Sequence, residues 1–161
     1  MSKISPCLWF RGEAEEAAKF YVSLLPDSRI DRIHKSVVDT PGIKEGSVLL
    51  VEFTLAGQSY QALNGNSNCE FTHAVSFSVS CVDQGEVDRL WSRLSEGGEP
   101  VACGWVKDRY GVSWQIVPNI LPKYLADADR EKAIRVMRTM MGMVKLDIAA
   151  LQAAYDGEAV E

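Results

Sequence analysis

Two rhythms alternate along the chain. Where apolar and polar residues change places at every second position the pattern predicts half-buried strands. Apolar residues three and four apart predict helices instead. ISPCLWF (4–10) has the first rhythm. Past Gly12, EAEEAAKFYVSLL has the second, with Ala14, Ala17, Ala18, Tyr21, Leu24 and Leu25 at helical spacing. Acidic residues load the first turn, where the helix dipole favours them, and Pro26 ends the run. SRIDRIHKSVV predicts a strand, TPGIKEG a loop, and SVLLVEFTLAGQSYQALN a hairpin turned at Ala56-Gly57. The order is β-α-β-β-β.

That order recurs. AVSFSVSC (74–81) predicts a strand, DQGEVDRLWSRLSEGG a helix stopped by Gly97-Gly98, and EPVACGWVK and GVSWQIVP the remaining strands. Phe20, Tyr21 and Leu24 fall on Leu90, Trp91 and Leu94 at a constant offset, as a duplicated unit would have them. Beyond Pro118 only the helical rhythm remains. DADREKAIRVMRTMMGMVKLDIAALQAAY predicts two helices, the second opened by Asp147 as N-cap. Ile134, Met137, Met141 and Val144 make an apolar stripe, expected to pack on the chain's own domain, with a subunit contact as its second use.

Alternation also sorts faces. Ser113, Gln115 and Val117 share one face, opposite Val112, Trp114 and Ile116. Ser76, Ser78 and Ser80 oppose Val75, Phe77, Val79 and Cys81. Val51, Phe53 and Leu55 should pack inward, leaving Leu50, Glu52 and Thr54 on the other side. A polar face on an apolar strand is the pattern of a pocket wall, and Glu52 is then the candidate general base. A hydrated sheet face is the competing reading. Trp9 and Trp105 either stack on a planar ligand or fill the core. The turn Asp108-Arg109-Tyr110-Gly111 reads as structural.

Bulk properties narrow the classes. With 161 residues, 47% hydrophobic and 24% charged, the chain suits one globular domain. Its net charge of −5 disfavours nucleic acid and anionic membrane as partners, and no apolar run is long enough to span a bilayer. MSKISP carries no secretory pattern, so a cytoplasmic protein is expected. Cys7, Cys69, Cys81 and Cys103 are widely spaced and read as reduced thiols. Neither His34 nor His73 pairs locally with a cysteine, which disfavours zinc.

PCLWFRGEAEEAAKFYVSLLPDSRI, VEFTLAGQSYQALNGN, SFSVSCVDQGEVDRLW and CGWVKDRYGVSWQIVP, with KLDIAALQAA in the tail, together resemble the vicinal oxygen chelate (glyoxalase/bleomycin-resistance) superfamily. The closer resemblance is to its PhnB-like branch, often labelled demethylubiquinone methyltransferase-like. It implies an α+β fold of two βαβββ modules, 4–64 and 74–118, whose curled sheets form a cleft, followed by a helical extension over 119–161. Relatives of this kind often pair as homodimers. Metal-dependent relatives hold a divalent ion at positions that fall near Pro6, Asn64, Ser76 and Gln115. A hard ion needs carboxylates or neutral imidazoles, whereas proline offers no side-chain ligand and the other three are neutral. No metal is therefore expected, with a weakly bound divalent ion as the alternative. Asn64, Ser76, Ser78 and Gln115 become the expected ligand-binding residues and Glu52 the expected catalytic one. The resemblance leaves two classes of function. One is a binding protein for a small molecule. The other is a glyoxalase-, dioxygenase- or transferase-like enzyme acting on a small polar or aromatic substrate. PCLWFRGEAEE lacks the glycine-rich turn of a Rossmann methyltransferase, so methyl transfer is not expected.

Overall fold

The computed structural model describes residues 2–66 and 68–158. In chain order they form β1 (Cys7–Phe10), α1 (Ala14–Val22), β2 (Arg29–Lys35), β3 (Val48–Leu55) and β4 (Gln58–Asn64). There follow β5 (Ser76–Cys81), α2 (Gln84–Ser95), β6 (Glu99–Pro100), β7 (Trp105–Lys107) and β8 (Ser113–Pro118). The tail adds α3 (Leu121–Leu125), α4 (Arg130–Met141) and α5 (Ile148–Asp156). The fold class is α+β, and the chain divides into two compact units after Cys69.

The first unit carries a sheet of order β1-β4-β3-β2, the second a sheet of order β5-β8-β7-β6. In each unit the first and last strands are parallel and the other pairs antiparallel. Strand for strand the order is the same, so the repeated rhythm of the sequence is a repeated βαβββ unit. Both sheets are open rather than curled, because the two outer strands of each have one neighbour only and do not meet.

In the first unit α1 lies on the face that carries Leu8, Phe10, Val51, Phe53 and Ala62, all buried. Ala14, Ala17 and Ala18 are fully buried on the helix, and their small side chains let it come close to the strands. Tyr21 meets Phe53 at 6.4 Å between ring centroids, and Phe53 stacks on Tyr60 at 5.5 Å. In the second unit α2 buries Val87, Leu90 and Leu94 beside Cys81, Val106, Trp114 and Ile116. Its N-cap Asp83 accepts from the Glu86 amide at 2.8 Å, and Glu86 accepts from the Val82 amide at 2.7 Å. Of the expected glycine stop, Gly97 takes the left-handed φ of 71° just past the helix end, and Gly98 is fixed by close approach. A Cβ there would come within 2.3 Å of the Lys107 carbonyl oxygen and 2.7 Å of that of Leu94.

The two helices expected over 127–155 are α4 and α5. A further short helix, α3, precedes them; LPKYL is too short for periodicity to register and carries a proline in its first turn. The stripe at 134, 137, 141 and 144 is not the packing face. α4 turns Val136 inward, with Met140 and Met143 beside it, into a cluster of Leu121, Tyr124, Leu146 and Leu151. Met137, Met141 and Val144 remain 41%, 65% and 51% exposed. The helix has apolar residues on both sides, and spacing alone does not choose between them. Asp147 does cap α5, accepting from the Ala150 amide at 2.9 Å. Among the described residues no helix is long and apolar enough to cross a membrane.

Candidate functional site

In the first unit the sheet face away from α1 is built by ladder register. One row runs Cys7, Gln61, Glu52, Arg32 across β1, β4, β3 and β2. The next runs Trp9, Leu63, Leu50, His34. Paired residues on neighbouring strands share a face, so a polar row lies beside a largely apolar one. Across the two, His34 Nε2 and Glu52 Oε2 stand 2.8 Å apart, with side chains 38% and 29% exposed. The second carboxylate oxygen of Glu52 and Nδ1 of His34 have no protein partner among the described residues. Trp9, half-exposed, lies against the backbone of Gly65, where a Cβ would meet the indole at 2.3 Å. Cys7 is exposed on this face, and the partial burial of its thiol raises it above its ordinary range.

Asn64 stands apart from this face. It is buried at the end of β4, on the side of α1. Its Oδ1 accepts from the amides of Gly12 at 3.1 Å and Ala14 at 3.0 Å, and its Nδ2 donates to the Val48 carbonyl at 3.0 Å. Glu13, at the N-cap position of α1, makes no side-chain cap bond, so the cap comes from Asn64, fifty positions away along the chain. Both ends of the amide are thereby committed to backbone groups.

In the second unit the face away from α2 carries Ser76, Ser78 and Ser80 on β5, Ser113, Gln115 and Val117 on β8, and Trp105 on β7. Gln115 pairs with Ser78 in the parallel ladder and with Trp105 in the antiparallel one. Its Nε2 donates to Ser76 Oγ at 2.9 Å. That bond orients the amide and leaves its carbonyl oxygen without a protein partner among the described residues. Ser76 and Gln115 are half-buried, while Ser78 and Ser80 are exposed.

Trp114 points to the other side, its indole edge-on to Phe77 with centroids 5.1 Å apart. Its Nε1 donates to Asp108 Oδ2 at 2.9 Å, and Asp108 Oδ1 accepts from the amides of Tyr110 and Val112 at 2.8 and 3.0 Å. The Asp-Arg-Tyr-Gly turn is thus tied to the core tryptophan, as a structural reading of it requires. Cys81, fully buried behind the serine row, has its thiol pushed up to about 12, chiefly by burial and next by Glu86.

Sequence reasoning found Glu52, Ser76, Ser78 and Gln115 as members of polar faces but missed His34. The signal available was its even spacing from Arg32, and a bulge in β2 between Ile30 and Arg32 hides which residue of β3 it meets. Among the described residues no three or more His, Cys, Asp or Glu side chains are gathered so as to hold a metal ion.

Residues 2–117 match the family model for 3-demethylubiquinone-9 3-methyltransferase. The PhnB protein from Bacillus cereus is 37% identical over 73% of this chain and 99% of its own, with a TM-score of 0.67. Protein PA1353 from Pseudomonas aeruginosa is 20% identical over 71% of this chain and 95% of its own, with a TM-score of 0.59. The fosfomycin resistance protein FosX from Listeria monocytogenes is 15% identical over 78% of this chain and 96% of its own, with a TM-score of 0.53; it was solved with Mn(II) and 1S,2S-dihydroxypropylphosphonic acid. The last two share the fold. No curated protein matches. Two units of identical strand order, a family match over 2–117 and the likeness to the Bacillus protein agree: the chain belongs to the PhnB-like family, labelled 3-demethylubiquinone-9 3-methyltransferase, of the vicinal oxygen chelate superfamily.

Proposed function

We infer that the chain binds a small organic molecule on the polar face of its second sheet, through Gln115, Ser76 and Ser78, and that it does so without a tightly held metal. The carrying observation is the Gln115 amide, oriented by Ser76 at 2.9 Å and with its carbonyl unused by protein groups among the described residues. An oriented acceptor beside hydroxyls on a half-buried face is a recognition set for hydrogen-bond donors of a ligand. The fold accommodates a small acid in the Listeria neighbour. Asn64 is not part of the proposed set, since its amide serves the backbone.

The donor chemistry argues against a divalent ion at the positions the resemblance implies. Pro6 has no ligand atom, Asn64 is committed, and Ser76 and Gln115 are neutral. Elemental analysis of protein purified without chelator should find well under one divalent ion per chain; one tightly held ion would contradict this. The family label names methyl transfer, but β1 is followed by a single glycine and no phosphate-cradling turn, so that reaction is not proposed. Four free cysteines fit a reducing, cytoplasmic setting. Open sheet edges and the outward Met137 and Met141 favour a homodimer, which light scattering at micromolar concentration should report as twice the chain mass. A stable monomer would count against the dimer.

The binding reading is tested by a thermal-shift screen of small polar and aromatic compounds, repeated on Gln115→Leu. The variant should fold as the parent does, yet bind the hits about tenfold or more weakly, because a ligand donor is left unpaired. Equal affinity in both proteins would sink it.

A further inference from the structure

The polar face of the first sheet holds a device that the reading above does not use. We propose that His34, oriented by Glu52, is a proton acceptor for a small planar acid such as a phenol or enol resting on the Trp9-Leu63-Leu50 row. The proposal rests on the small-molecule reading only in supposing that the protein has an organic ligand.

His34 Nε2 and Glu52 Oε2 are bonded at 2.8 Å. An ionised carboxylate only accepts, so Nε2 must carry the hydrogen. In a neutral imidazole the other nitrogen then bears the lone pair. That nitrogen, Nδ1, has no protein partner among the described residues, and the ring is 38% exposed, so a ligand can reach it. Glu52 therefore fixes the tautomer that makes His34 a base, and its charge stabilises the imidazolium that forms. The role of base passes to His34, and Glu52 is the positioning residue.

The surroundings select the ligand. Leu50 lies directly opposite His34 in the ladder, Leu63 next to it and the indole of Trp9 beyond, which together make an apolar floor for a flat ring. Arg32 stands opposite Glu52 in the polar row, with no ion pair to it or to any other described residue. A cation placed there favours an anion on the ligand. In the step itself the ligand O–H bond breaks, its electron pair stays on oxygen, and an N–H bond forms at Nδ1. Net charge is unchanged: the ligand becomes an anion facing Arg32, and the imidazolium faces Glu52.

The test uses 4-nitrophenol, whose phenolate absorbs in the visible, at a pH where the free dye is mainly protonated. Adding protein should raise the phenolate band to saturation. 4-Nitroanisole, of nearly the same shape but without the proton, should bind about tenfold more weakly. His34→Gln should bind the dye without the band, while Glu52→Gln should lower the band and Glu52→Asp partly restore it. Far-UV circular dichroism checks that each variant is folded. A dye bound as neutral phenol, a band that survives His34→Gln, or no binding at all would overturn the proposal. If the band behaves as stated while Gln115→Leu leaves screened affinities intact, the reading of the second sheet fails and this one stands.

Discussion

Asp108 accepts from two backbone amides and from the Trp114 indole, all inside the second unit. Replacing it by alanine removes the acceptor of two buried bonds, from the Val112 amide and the Trp114 indole, and of a part-buried one from the Tyr110 amide. Asp108→Ala should therefore lose about 3 kcal/mol or more in urea denaturation, since each unsatisfied buried group costs about 1–3 kcal/mol. A loss below about 1 kcal/mol would mean that the turn holds without it. Cys81 makes a prediction about pH. Its thiol rises from 9.0 in the unfolded chain to about 12 in the fold. A group raised on folding gives stability that is complete below its unfolded value and is lost as pH climbs toward the folded one. Stability should fall by up to roughly 1.4 kcal/mol per pH unit from about pH 9 to about pH 12. Denaturation curves of Cys81→Ala over that range should fall less steeply than the parent's; parallel curves would contradict the assignment.

At the scale of elements, the tail is bolted to the rest of the second unit by particular bonds. The Cys103 and Gly104 amides donate to the carbonyls of Met143 and Val144, each at 2.8 Å. The Gln84 side chain donates to the Leu146 carbonyl at 3.1 Å and accepts from the Ile148 amide at 2.8 Å. Leu146, fully buried, sits where a Cβ on Gly104 would come within 2.9 Å of it. Leu146→Ala should thus cost about 2–5 kcal/mol, read as a shifted denaturation midpoint. An unchanged midpoint would mean that the extension is an appendage. These bonds were not legible in the sequence, because they join residues 40 to 64 positions apart. The strands were legible, since period-two alternation is local: Val51, Phe53, Trp114 and Ile116 are buried as it requires. The inward face of α4 was not, for its apolar residues encircle the helix and packing alone makes Val136 and Met140 the inner ones.

Across the whole molecule the repeat is the governing fact. Leu24 and Leu94 share the offset and are both buried, yet Tyr21 is buried where Trp91 is half-buried, so the two helices sit on their sheets by slightly different faces. The units have diverged in their polar faces as well. One carries an imidazole–carboxylate pair, the other an amide among hydroxyls. Membership of polar faces could be read from alternation, whereas partners could not: His34 finds Glu52 through a bulged register, and Asn64, on the helix side with Ala62 and Phe10, supplies the cap that Glu13 does not give α1. Gln115 and its serines are proposed to receive a ligand. This is tested most directly by titrating ¹⁵N-labelled protein with the tightest compound from the screen and following the Gln115 side-chain amide resonances. They should shift along one saturable curve together with the backbone amides of Ser76 and Ser78. Saturation with those resonances unmoved, and the largest shifts on α2 or α4, would contradict it.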